Sequence, residues 1–230
     1  MKAVGFDLGH TLINYKDTPL SWKSLYRDAL LKIADCCNIQ VNDNMLSQAE
    51  NILCKYNTRI SPRVEEVSST IIFNELLSSW NLNPETCMEP AKQAFFGFFQ
   101  RNSCPFDDTV SILQYLKAKN IKVGILTDVA YGMDKKFVLR DIEPISEYIN
   151  VLLTSVDVGF RKPDTRGFSA LSSSLGVQPS EMIYVGDEEK DIIGANAAGI
   201  YSVFIGRHEN NVNPRERLRI SSLLELKSII

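Results

Sequence analysis

No apolar run in the chain approaches the ~20 residues that cross a bilayer, which excludes a membrane-spanning helix. No basic run or stripe stands out either. The formal net charge is −3 over 230 residues, a balance that argues against nucleic acid as the main partner. Cysteine is scarce and odd in number: Cys36, Cys37, Cys54, Cys87 and Cys104 follow no regular spacing. That pattern argues against a disulfide framework and for reduced thiols in the cytoplasm. The adjacent Cys36 and Cys37 read either as a metal or redox pair or as small helix-face fillers. Room for a secretory signal is also lacking, because Lys2 to Phe6 already reads as a strand; the expectation is a cytoplasmic protein. Internal repeats and low-complexity tracts are absent.

What remains is an ordinary globular composition, 44% hydrophobic and 23% charged. It fits one domain with a large insertion, or two small domains. Lys2-Ala3-Val4-Gly5-Phe6 is a short apolar run of the kind that forms a strand buried on both faces. It ends on Asp7. In open α/β sheets ligands sit beyond the carboxyl ends of the strands, so a carboxylate there is a candidate nucleophile or metal ligand. Three further runs repeat the arrangement. Val123-Gly124-Ile125-Leu126 ends on Thr127-Asp128, and Val151-Leu152-Leu153 precedes Arg161-Lys162-Pro163-Asp164. Met182-Ile183-Tyr184-Val185 ends on Gly186-Asp187-Glu188-Glu189-Lys190-Asp191. Helical patterns between the runs imply a parallel sheet with right-handed crossovers.

Residues 13 to about 108 form a long excursion between the first two strands. Apolar periodicity predicts helices over roughly 19–36, after Asn42-Asp43, from Ser61-Pro62 to about Trp80, and after Asn83-Pro84-Glu85. Four amphipathic helices on short loops make a bundle. Phe95, Phe96, Phe98 and Phe99 read either as the lining of a substrate pocket or as the bundle's core, the second because aromatics at helical spacing bury against neighbouring helices. A fifth strand is expected at Tyr201-Ser202-Val203-Phe204, and a last helix over 223–230.

Four strand ends therefore deliver, in order, a carboxylate, a hydroxyl, an ammonium and a pair of carboxylates. This ordered set resembles the four motifs of the haloacid dehalogenase-like (HAD) superfamily. The resemblance implies a Rossmann-like, doubly wound parallel sheet over residues 1–12 and 106–230, with an α-helical cap over 13–105. It implies an Mg²⁺-dependent phosphatase acting on a small phosphorylated metabolite through an aspartyl-phosphate. In those terms Asp7 is the nucleophile and Lys162 its catalytic partner. Thr127, Asp128 and Lys162 bind the phosphate, and Asp7, the Gly9 carbonyl, Asp187 and Asp191 hold the metal. The chemistry is consistent with these residue types. A carboxylate attacking an anionic phosphate needs a hard cation between them, and oxygen ligands suit Mg²⁺. Alone, each residue also has an ordinary structural reading: a turn-capping Asp, a solvated Lys, helix-capping acids.

One position departs from the family pattern. Gly9 stands where most phosphatases of the family carry a second aspartate as general acid and base. A group that can replace it is His10, whose imidazole titrates near neutrality, although His10 also reads as filling a turn. A 2-haloacid dehalogenase would share Asp7 and Lys162 without a metal, and Asp187 with Asp191 favours the metal-dependent branch over it. Gly9 alone supports a third reading, a weakened phosphate-binding protein on the same fold. Nothing in the insertion spells a ligand code; Tyr15, Lys16, Lys23 and Arg27 stand near its entrance. The sequence assigns no oligomeric state.

Overall fold

The computed structural model describes residues 1–207 and 215–230. Strand β1 (Ala3–Phe6) is buried along its whole length. Strand β2 (Ile13–Tyr15) leads into helices α1 (Tyr26–Cys36), α2 (Asp43–Tyr56), α3 (Ser69–Ser79) and α4 (Pro84–Gln100), and β3 (Ser103–Pro105) leads out. The chain continues through α5 (Thr109–Ala118), β4 (Lys122–Thr127), α6 (Lys135–Ile142), β5 (Val151–Thr154) and α7 (Ser155–Val158). It ends with α8 (Thr165–Leu175), β6 (Met182–Gly186), α9 (Glu189–Ala197), β7 (Tyr201–Ile205) and β8 (Leu218–Ile220).

Six strands form one parallel sheet in the order β5-β4-β1-β6-β7-β8. Phe6, the last residue of β1, lies opposite Ile125 on one side and Val185 on the other. The sheet grows first to one side of β1 and then to the other. That reversal opens a crevice at the carboxyl ends of the central strands, where Asp7, Thr127 and Asp187 emerge. Helices cover both faces: Phe168 and Leu171 of α8 and Ala195 of α9 pack with Ala3 and Leu126, while Ile112 and Leu113 of α5 pack with Val4 and Ile125. The fold is a doubly wound α/β sheet, as the strand–helix alternation implies.

The second of these apolar clusters does not stop at the sheet. It continues through Leu12 and Tyr131 into Leu30, Leu53, Leu77 and Phe95 of the helical insertion. Phe95 and Phe96 are fully buried there, as their spacing predicts.

The structure departs from the expected elements in several places. The first helix begins as a 3-10 turn at Trp22–Leu25, with α1 following it. The third does not start at Ser61-Pro62. Residues 57–68 form an irregular loop, and α3 begins at Ser69. The loop is held by long-range bonds: Arg161 N–H donates to Val64 O at 2.8 Å, and Glu66 N–H to Gly159 O at 3.0 Å. Val64 in this loop is exposed. The last helix is a short 3-10 stretch, Leu223–Ser228, and a sixth sheet strand, β8, precedes it. Most consequential is a two-stranded antiparallel ribbon, in which Ile13 pairs with Pro105 and Tyr15 with Ser103. Three-residue strands leave too short a pattern to read in advance.

Among the described residues all five cysteines are free. Burial and the neighbouring Cys36 push the Cys37 thiol up to about 12, which keeps it protonated at neutral pH.

Candidate active site

Asp7, Asp187 and Asp191 come together at the crevice. One carboxylate oxygen from each lies within 4.8 Å of the others. Asp7 is carried out of the sheet by β1, and Asp187 follows the last residue of β6. Asp191 reaches the group from the first turn of α9 because Gly186 has no side chain. A Cβ at residue 186 would stand 2.4 Å from Asp191 Cβ, so only glycine lets the helix approach the strand end this closely. Asp191 also accepts the Glu188 N–H at 3.0 Å. Its helix-capping reading and its site reading are therefore both satisfied, one by each oxygen.

Lys162 ties the group together. Its Nζ lies 2.6 Å from Asp7 Oδ1, 2.5 Å from Asp191 Oδ1 and 3.2 Å from the Tyr184 hydroxyl. Tyr184 in turn donates to Leu126 O at 2.8 Å. Burial disfavours a charged lysine, but Asp191 and Asp7 outweigh it and hold the ammonium well above its ordinary range. Thr127 is buried at the end of β4 and lines the same cavity as Asp7.

Asp128 sits behind Lys162. Its carboxylate accepts the Lys162 N–H at 3.0 Å and faces Lys190 Nζ at 3.0 Å. Burial opposes ionisation there, yet Lys190, Lys162 and Arg161 hold the carboxyl down at about 2. Asp187 shows the opposite balance. Burial, then the charges of Asp7 and Asp191, push its carboxyl up from 3.8 to about 8. Asp191, fully buried, is raised to about 6. Carboxylates crowded to this degree repel one another, and a bound divalent cation would relieve them. The donor set is all oxygen and hard, which suits Mg²⁺.

Sequence reasoning passed over several residues at this site. Thr11 Oγ1 donates to Asp187 at 3.2 Å and orients it. Arg59 reaches from the loop after α2 and forks onto both oxygens of Glu188 beside Lys190. Asp141 also lines the cavity, and its Oδ2 accepts from Tyr15 at 2.7 Å. A signal for Asp141 was present in the sequence: it falls on the same helical face as Phe137, Val138 and Ile142, all buried. Of the residues expected near the entrance, Tyr15 lines the cavity, whereas Lys16, Lys23 and Arg27 are exposed. Phe99 lines it as well as packing in the core.

Gly9 and His10 form the turn after Asp7. His10 takes a left-handed backbone, φ 56°, in a place where glycine is the easy choice. Gly9 has no such conformation. A Cβ added there would meet only Tyr15 Cε2, at 3.5 Å, an ordinary contact.

Known proteins bear on this arrangement. A glyceraldehyde 3-phosphate phosphatase from Methanopyrus kandleri is 32% identical over 114 residues, 48% of this chain and 48% of its own. A phosphoserine phosphatase from Thermus thermophilus is 28% identical over 159 residues, 67% of this chain and 62% of its own. The chain thus spans between about half and two-thirds of the length of these two relatives. Among solved structures, a HAD phosphatase from Thermococcus onnurineus superposes with a TM-score of 0.66 at 23% identity. A 2-haloacid dehalogenase from Pseudomonas syringae pv. Tomato superposes with a TM-score of 0.67 at 21%. Each comparison covers 100% of this chain and 97% of the other, and each bears on the fold alone. The family described as haloacid dehalogenase-like hydrolase matches residues 40–205, a span that holds Thr127, Lys162, Asp187 and Asp191. With that match over most of its length, on the sheet and strand ends described above, the chain belongs to the haloacid dehalogenase-like hydrolases.

Proposed function

We propose that the protein is an Mg²⁺-dependent phosphatase that hydrolyses a small phosphorylated metabolite through a phosphoaspartate at Asp7. The observation that carries this reading is the convergence of Asp7, Asp187 and Asp191 around Lys162. A dehalogenase would need the first and last of these but not the acidic pair.

Asp7 attacks phosphorus with one carboxylate oxygen, the alcohol oxygen departs, and water then hydrolyses the acyl phosphate to return Asp7. Mg²⁺ would be held by Asp7, the Gly9 carbonyl, Asp187 and Asp191, and would neutralise charge between carboxylate and phosphate. Lys162 and Thr127 hold phosphate oxygens. An ionised Asp128 would repel a phosphate, so its part is to fix the loop that carries Lys162. Residues 13–105 act as a cap on a core of 1–12 and 106–230, closing over the substrate and shedding water. Free thiols at all five cysteines support a cytoplasmic setting.

Two measurements test the chemistry. Asp7→Asn should abolish release of phosphate from an aryl phosphate, and EDTA should do so reversibly, with activity restored by excess Mg²⁺. Undiminished turnover by Asp7→Asn, or in EDTA, removes the mechanism.

A further inference from the structure

Asp7 and Asp141 line the same cavity. Around the nucleophile the carboxylates are interleaved with Lys162, Lys190 and Arg161, where a phosphate would sit. Asp141, by contrast, takes neutral partners. Asp141 is 5% exposed and accepts from the Tyr15 hydroxyl at 2.7 Å, Gln100 Nε2 at 2.7 Å and Ser103 Oγ at 2.9 Å. Three neutral donors leave a carboxylate with acceptor capacity, since its two oxygens offer about four lone-pair sites. They also leave its charge unbalanced. Burial pushes the Asp141 carboxyl up, and its hydrogen bonds and the charge of Arg140 offset this only in part. A buried carboxylate without a counter-charge is costly, and a cation placed beside it recovers that cost.

Gln100 helps to hold Asp141 in place: its Nε2 donates to both Phe137 O and Asp141, and its Oε1 is buried. Elsewhere the cavity wall is aromatic. Trp22 stacks on Phe99 at 3.9 Å with an interplanar angle of 11°, and both rings line the cavity. Ring faces attract an ammonium group, and more strongly when water is excluded.

Resting on the phosphatase reading above, we propose that the alcohol half of the substrate carries a protonated amine. Asp141 accepts its N–H groups, and the Trp22–Phe99 wall flanks it. The substrate class is therefore a phosphorylated amino alcohol or aminophenol, anionic at the Lys162 end and cationic at the Asp141 end. A sugar phosphate supplies donors but no charge, and would leave Asp141 uncompensated.

Tyramine phosphate and 4-ethylphenyl phosphate test this directly, because they release similar phenolates and differ by one ammonium group. For the wild-type protein kcat/KM should favour tyramine phosphate by about tenfold or more, the scale of one charge-assisted hydrogen bond. Asp141→Asn, which keeps the shape and removes the charge, should bring the ratio close to one. Free tyramine should inhibit competitively, and 4-ethylphenol far more weakly. A wild-type ratio of one or less overturns the proposal, and so does a preference that survives in Asp141→Asn; the wild-type arms need no variant to fold. If neither ester is hydrolysed, the phosphatase reading is what has failed. The amine site is then judged by calorimetric binding of the two esters to the wild-type protein: tighter binding of tyramine phosphate upholds it, and equal binding overturns it.

Discussion

Gly9 offers room for a side chain that the protein does not carry. Its backbone is not left-handed, and the nearest atom to an added Cβ is an aromatic edge of Tyr15 at 3.5 Å. Gly9→Asp should therefore fold normally. A positioned general acid is worth ~10² to 10⁴ in rate when the leaving group is a poor one. The wild-type protein should accordingly favour aryl or acyl phosphates strongly over alkyl phosphates of similar size, and Gly9→Asp should narrow the gap. Steady-state rates on a matched aryl and alkyl pair measure it; an unchanged gap would place the proton donor elsewhere. His10→Ala should alter turnover little if His10 serves the turn. A second residue-scale prediction concerns pH. Asp187 has a folded pKa of about 8 against an ordinary 3.8, so the native state keeps a proton that the unfolded chain has lost. Stability of the metal-free protein should then fall as pH rises from about 4 to about 8. Because a cation competes with that proton, added Mg²⁺ should raise the melting temperature more at pH 8 than at pH 5. Thermal unfolding at the two pH values, with and without Mg²⁺, decides the point.

At the scale of elements, the loop over residues 57–68 is the piece that joins the helical insertion to the loop carrying Lys162. Its Glu66 side chain is 2% exposed and takes an ion pair from Arg161, another from Arg63 at 3.0 Å, and a hydrogen bond from Ser155. Glu66→Leu strands Arg161, which is itself 5% exposed, with Asp128 at 3.9 Å as its remaining anion among the described residues. Loss of one partner from a buried pair costs roughly 3–5 kcal/mol, and urea unfolding should show a loss near the lower bound. A loss below ~1 kcal/mol would mean the loop is held by its backbone bonds alone. This loop also marks where sequence reading stops working. The strand ends at Asp7, Thr127 and Asp187 were legible because short apolar runs closed by polar residues depend on nothing distant. The helix starts at Asn42 and Asn83 were legible for the same reason, since each cap is satisfied within three residues. Residues 57–68 owe their shape to residues 159–161, about a hundred positions away, and Ser61-Pro62 merely imitates a helix start. Asp141 was hidden differently: an acid between Arg140 and Ile142 looks solvated until its apolar face is counted.

For the molecule as a whole, sheet and insertion share one apolar cluster, in which Tyr131 from the loop after β4 stands among rings of the insertion. Its ring meets Phe95 edge-on at 5.4 Å, and its hydroxyl bonds that of Tyr26. Unfolding should therefore be a single transition, with tryptophan fluorescence (Trp22 and Trp80, both in the insertion) and far-UV circular dichroism giving coincident curves. An early fluorescence transition would mean that the insertion melts by itself.

The β2–β3 ribbon gives this union an evolutionary side. Because Tyr15 and Ser103 face each other across the ribbon, and Lys16 N–H donates to Asn102 O, the chain departs from the sheet and returns to it at nearly one point. In connectivity the intervening segment is a cassette: a short turn could replace it, or a segment of another length be spliced in, without redirecting a single strand. In packing it is nothing of the kind, since Tyr131 and the carboxylate of Asp141 would be left facing water. A recombinant that inherits a foreign insertion must change those residues with it, so the partners of a successful graft lie in the recipient's own loops after β4 and along α6.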